Sequence, residues 1–244
     1  MTFKIARVFR VEMGNASRRC QFKEREIAML RFTEEIILLL LNDDDGRFAR
    51  LPNVSLDYAL AGGVLMDLAL ENRIDTDLDN LILIDETPTG DSLLDPTLAD
   101  IAEVGGNDAR FWVERTAVKA SELREEALRR LIEQGILEQV DDRFMWVFKS
   151  RRYPTIDGQA QREVKLRIMG VLFSDEIPDP RDIVIICLAD ACGIFKTLLS
   201  SQELESVTPR IDQVKRLDLI GQAMTQAIQD IELTLAAALQ PHMY

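Results

Sequence analysis

The chain has 244 residues, of which 47% are hydrophobic and 29% charged, an ordinary globular mix with enough apolar material for a sizeable core. Its formal net charge of −13 argues against a nucleic-acid partner, whose footprint is usually basic. The charge is uneven: residues 1–26 hold seven basic residues (Lys4, Arg7, Arg10, Arg18, Arg19, Lys23, Arg25) against three acidic ones, a net of +4, so the remainder carries −17. Contact with an anionic membrane therefore needs a local patch, because the global field opposes it.

The first 28 residues show little periodicity and are read as a basic arm or upstream extension, with residues 29–244 forming one domain. The opening stretch lacks the apolar run of a secretory signal, and no segment approaches the ~18 consecutive apolar residues of a membrane span. A cytoplasmic protein is expected, one that lies on a membrane rather than crossing it.

Phe32, Ile36, Leu39 and Leu40 mark the first helical face, and Asn42-Asp43-Asp44-Asp45-Gly46 ends it. Leu56 to Asn72 is apolar almost all round, the pattern of a central helix. Gly62-Gly63 within it costs about 1 kcal/mol per glycine relative to alanine, which close approach of a neighbouring helix would offset. Asn80–Asp85 reads as a short strand, Glu86–Asp91 as a turn, and Leu93, Leu94, Leu98 and Ile101 as a short helix. Ser121 is placed to cap a helix with Leu123, Ala127, Leu131 and Ile132 on its face. Ile136–Val140 and Phe144–Phe148, joined by Asp141-Asp142-Arg143, predict a β-hairpin. Three helices, at about 158–173, 181–200 and 209–239, complete the chain, with Pro209 opening the last. The expected fold class is mainly α: a single compact helical domain around a buried central helix bundle, with a short hairpin.

Catalytic patterns are scarce. The only histidine, His242, is the third-last residue, where a triad finds no fixed geometry. No phosphate-loop or dinucleotide fingerprint occurs. Asp43-Asp44-Asp45-Gly46 lacks the alternating ligands of a calcium loop, and Asp85, Asp91 and Asp95 read as turn and cap residues. Three cysteines make no disulfide framework or metal motif, and Cys187 and Cys192 fall in an apolar run that suits a core. The expectation is a non-enzyme without cofactor or metal.

Five segments carry a resemblance, in order along about residues 30–200. They are Phe32–Leu40, Leu56–Ile74 (Leu-Asp-Tyr-Ala-Leu-Ala-Gly-Gly at its start), Asp85–Asp95 with its Thr-Pro-Thr-Gly-Asp turn, Leu131–Leu137, and Val184–Phe195. Together they resemble the Golgi phosphoprotein 3 family, and the short loops are similar to its bacterial members. The resemblance implies a peripheral membrane protein that binds phosphatidylinositol 4-phosphate and, in eukaryotes, gathers at the cytosolic face of the Golgi.

The family's headgroup pocket uses a tryptophan before the central helix, an arginine within it, and two arginines at the start of a later helix. Here these fall on Leu51 or Pro52, on Ala61, on Ser121 and on Arg124, so only Arg124 is retained. A phosphate ester prefers several charge-assisted donors. Arg50 and Lys119 are the candidate substitutes, giving Arg50, Lys119 and Arg124 as a reduced anion pocket. Phe144, Trp146 and Phe148 share one face of the predicted hairpin, flanked by Arg143, Arg151 and Arg152. That face is a candidate for bilayer insertion, for self-association or for a protein partner. The competing reading is a protein-interaction module that keeps the fold without the lipid pocket.

Overall fold

The computed structural model describes residues 29–42, 45–49, 51–76, 80–142 and 150–238. Two helices sit at the centre. The first, α1 (Phe32–Leu40), has all nine residues buried. A helix so short is marginal alone, and its end groups cannot reach water. The surrounding chain supplies partners at both ends. The Arg31 N–H donates to Glu34 Oε2 at 2.7 Å, and the Phe32 N–H to Asp67 Oδ2 at 2.8 Å. At the other end, Gln161 Nε2 donates to the Leu38 and Leu41 carbonyls at 3.1 and 2.7 Å, and Lys165 Nζ to the Leu41 carbonyl at 3.2 Å.

The second central helix is α2 (Asn53–Leu70), packed along α1. Its glycine pair sits where neighbours come closest. A Cβ on Gly62 would lie 2.6 Å from Leu188 Cδ2, and one on Gly63 would lie 3.2 Å from the Thr33 nitrogen. Gly62 therefore admits one helix and Gly63 the start of α1.

The strands β1 (Ile74–Thr76) and β2 (Leu81–Leu83) pair antiparallel, Ile74 opposite Leu83. The turn that follows is built by its own polar groups. Asp95 accepts from the Thr89 and Gly90 N–H groups at 2.7 and 3.0 Å, and Asp91 accepts from the Leu93 N–H at 2.9 Å. Gly90, at φ +79°, takes the left-handed conformation the turn requires. Then come α3 (Asp95–Val104), α4 (Ala109–Ala117) and α5 (Ala120–Glu133). The strand expected at 80–85 and the helix after the turn are present. α4 has no counterpart among the expected elements. It is capped by Asp108 Oδ1, which accepts from the Phe111 N–H at 2.7 Å, and it buries Trp112 completely.

The hairpin differs from its prediction. β3 (Val140–Asp142) pairs with β4 (Ser150–Arg152), Val140 opposite Arg152, and the same register continues to a bridge between Leu137 and Thr155. Asp141 and Asp142 are thus strand residues, not the turn, and the partner strand is 150–152, not Phe144–Phe148. Apolar alternation along the sequence does not reveal this register. Residues 143–149 lie outside the described residues.

The last part is α6 (Gln159–Leu172), α7 (Pro180–Ala191), α8 (Phe195–Leu198), α9 (Ser201–Lys215) and α10 (Leu219–Ala238). The helix expected over 181–200 breaks at Cys192 and Gly193, where Gly193 takes φ +67°. The helix expected over 209–239 is two helices. Its true start is Ser200, whose hydroxyl accepts from the Glu203 N–H while the Glu203 carboxylate accepts from the Ser200 N–H. Pro209 sits inside α9 rather than at a helix start. No described helix is long and apolar enough to cross a membrane.

Candidate functional site

Two of the three expected headgroup residues, Lys119 and Arg124, lie at the start of α5. Arg124 is half-buried one turn into that helix and acts on Asp57 of α2: burial raises the Asp57 carboxyl, and the Arg124 charge pulls it back down. Lys119 precedes the first residue of α5, with Nζ 3.9 Å from Asp100 Oδ2 of α3. Asp100 also accepts two bonds of 2.7 Å from Arg115, which hold its carboxyl below the usual range. Arg124 and Lys119 thus share one end of α5 but answer to different carboxylates. Ala61 is wholly buried in α2, and Ser121 is exposed at the start of α5. Arg50, Arg143, Phe144, Trp146 and Phe148 lie outside the described residues. Arg151 and Arg152 belong to β4.

A denser constellation surrounds the start of α1, and no motif in the sequence marks it. Asp67 of α2 is 1% exposed, caps α1, and has Arg181 Nη1 at 3.6 Å and Arg31 Nη1 at 3.9 Å. Burial pushes its carboxyl up to about 7, against the pull of the Phe32 N–H, Arg181 and Arg31. Glu35 Oε1 accepts from Arg167 Nη2 at 2.8 Å, and Arg167 also bonds Asp182 of α7. Arg130 of α5 bonds Glu34 Oε1 at 3.1 Å and reaches Asp91 in the turn, which also accepts from Arg31 Nε at 2.8 Å. Burial raises Glu34, Glu35 and Asp182, whereas Asp91 is lowered: its desolvation is outweighed by the Leu93 N–H and two arginines. Four arginines thereby tie α1, α2, α5, α6, α7 and the Thr-Pro-Thr-Gly-Asp turn together. Breaking one partner of such a buried pair typically costs about 3–5 kcal/mol.

Chemically, this network holds position. Asp67 has a near-neutral titration point but is sealed behind Phe32 and the arginines, out of reach of a substrate. Cys187, the thiol of α7, is 1% exposed and pushed up to about 12 by burial, which makes it a poor nucleophile. Among the described residues no group of three His, Cys, Asp or Glu is arranged to hold a metal ion.

Four carboxylates of this network, Glu34, Glu35, Asp67 and Asp91, fall in segments that carry the resemblance, whereas its arginines lie outside them. The model of the family Golgi phosphoprotein 3 (GPP34) matches residues 32–231, most of the chain, and the chain belongs to that family. Among individual proteins, it is similar to vacuolar protein sorting-associated protein 74 of Eremothecium gossypii, 25% identical over 211 residues, covering 72% of this chain and 63% of that protein. It is also similar to the protein of the same name from Schizosaccharomyces pombe, 24% identical over 223 residues, covering 76% and 66%. The chain spans less than two thirds of the length of either relative.

Proposed function

We propose that this chain is a non-catalytic adaptor that associates peripherally with an anionic membrane by binding a phosphoinositide headgroup, phosphatidylinositol 4-phosphate by family, at the start of α5. The observation that carries this reading is Arg124. It occupies the position at which the family places a headgroup arginine, it is half-buried, and Lys119 brings a second cation to the same end of the helix. The relatives' name associates them with protein sorting, and the family's with the Golgi. A cytosolic, peripheral location suits both. The hairpin is the second contact in this reading: Phe144, Trp146 and Phe148 against the acyl boundary, with Arg143, Arg151 and Arg152 at the headgroups.

Vesicle flotation tests the headgroup contact. Vesicles containing phosphatidylinositol 4-phosphate should retain the protein better than neutral vesicles. K119A/R124A should weaken retention roughly tenfold or more, because a charge-assisted hydrogen bond to phosphate is removed. Equal retention on both vesicle types removes the lipid reading.

One observation favours a second reading, a protein-interaction module. Asp57 beside Arg124, and Asp100 beside Lys119, already answer the two cations that a phosphate would need. On that reading W146E changes the molecular mass of a complex and leaves flotation unchanged.

A further inference from the structure

An open cavity of about 390 Å³ lies between the starts of α1 and α7 and one side of α6. Four carboxylates line it, Glu35, Glu163, Asp179 and Asp182, against two arginines, Arg167 and Arg181. Both arginines are engaged within the protein. Arg167 bonds Glu35 and Asp182; Arg181 donates to the Leu30 carbonyl and stacks over the Phe32 ring at 4.3 Å. The two helix starts are also answered, by Asp67 at α1 and by Asp179, whose Oδ1 accepts from the Arg181 N–H at 2.9 Å. A net of two negative charges is left over. Glu163 and Asp179 are exposed, and among the described residues neither pairs with a cation. Glu35 Oε2, in a side chain 4% exposed, accepts no hydrogen bond, with Arg181 Nη2 3.6 Å away.

The walls between these charges are apolar, from Met29, Leu30 and Val164. Large apolar side chains continue outward along the same elements: Met29 is 77% exposed, Leu166 on the next turn from Glu163 56%, and Ile177, two residues before Asp179, 94%. Acid and hydrocarbon together suit a cationic amphipathic segment. Such a segment is joined to the rim itself, because Met29 lines the cavity and follows directly on residues 1–28, which carry a net charge of +4.

We infer that this cavity is the docking site of the chain's own basic arm, with Arg18, Arg19 and Lys23 set against Glu163 and Asp179, and Phe22 against the apolar wall. The tether is long enough: Met29 is nine chain steps from Cys20, a span of up to about 30 Å. It also makes the contact intramolecular, at an effective concentration on the order of millimolar, so weak ion pairs suffice. Release of the arm frees its cations for an anionic surface, and docking withholds them.

Cys20 provides the probe. Cys187 and Cys192 are 1% and 2% exposed, so a maleimide benzophenone on the full-length native protein marks the arm. Photolysis at low salt should give intramolecular adducts within residues 160–182. Their yield should fall about two- to fivefold for each exposed contact removed, in E163Q/D179N and in R18Q/R19Q, and fall again as salt is raised. Asn retains the cap at residue 179, and circular dichroism checks that each variant is folded. Adducts elsewhere on the chain, adducts only between two molecules, or a yield indifferent to both variants would each overturn the inference.

Discussion

Asp67 shows what a single residue does here. Its carboxylate closes the start of α1 by accepting from the Phe32 N–H, and its burial places its titration near 7 instead of the ordinary 3.8. In the unfolded chain the group ionises near 4; in the folded chain it holds its proton until about 7. Between those values the folded state binds more protons, so this group's contribution to stability falls as pH rises. The difference corresponds to roughly 4 kcal/mol, present below pH 4 and lost above pH 7. Asparagine keeps an acceptor for Phe32 and cannot ionise. From pH 5 to pH 8 the urea midpoint of the native protein should therefore drop further than that of D67N; parallel drops would show that Asp67 does not titrate in this window. Nothing in the local sequence announces this role. Glu35 and Arg167 are 132 residues apart, and only the fold makes them partners. Arg124, by contrast, is singled out as a candidate by resemblance, but Asp57 beside it comes from a different helix, and a linear motif contains no trace of it.

Elements are legible where their signals are local. The apolar period of α2 and the turn residues of Thr87–Asp91 are read directly from the chain, and the structure places both as expected. The signals that fail are those that tertiary packing overrides. Pro209 suggests a helix start, yet α9 runs through it because Val207, Ile211 and Val214 bury one face and Arg210 binds the Val171 carbonyl at 3.2 Å. The proline still carries a cost: it cannot donate to the Glu205 carbonyl, and it lies exposed, where packing offers no return. P209A should raise stability by about 1–3 kcal/mol, seen as a higher urea midpoint with an unchanged slope. A destabilised P209A would mean that Pro209 helps α9 meet α6 and α7. The hairpin differs for another reason: apolar alternation favours Phe144–Phe148 as the partner strand, whereas the strand that pairs with Val140–Asp142 is the polar Ser150–Arg152.

At the scale of the whole molecule, α1 and α2 make the domain one unit. α1 packs on α2, α5, α6 and α7, and α2 on α4, α5, α7 and α10, so no outer helix has a core of its own. The ion network runs along the same lines, with Arg130 and Arg167 joining α5 and α6 to α1. Loss of α1 packing should then be felt everywhere at once. Ile36, fully buried in α1, tests this: I36A should cost about 2–5 kcal/mol. The useful reading is not the cost but its distribution. Trp112 in α4 reports by fluorescence in a W146F background, and far-UV circular dichroism reports on all helices together. In one cooperative unit the two midpoints coincide before the substitution and move together after it. If instead Trp112 keeps its midpoint while the helical signal moves, α4 belongs to a separate unit with α10. The central pair would then hold only half of the fold, and a membrane contact at α5 would sit on the less stable part.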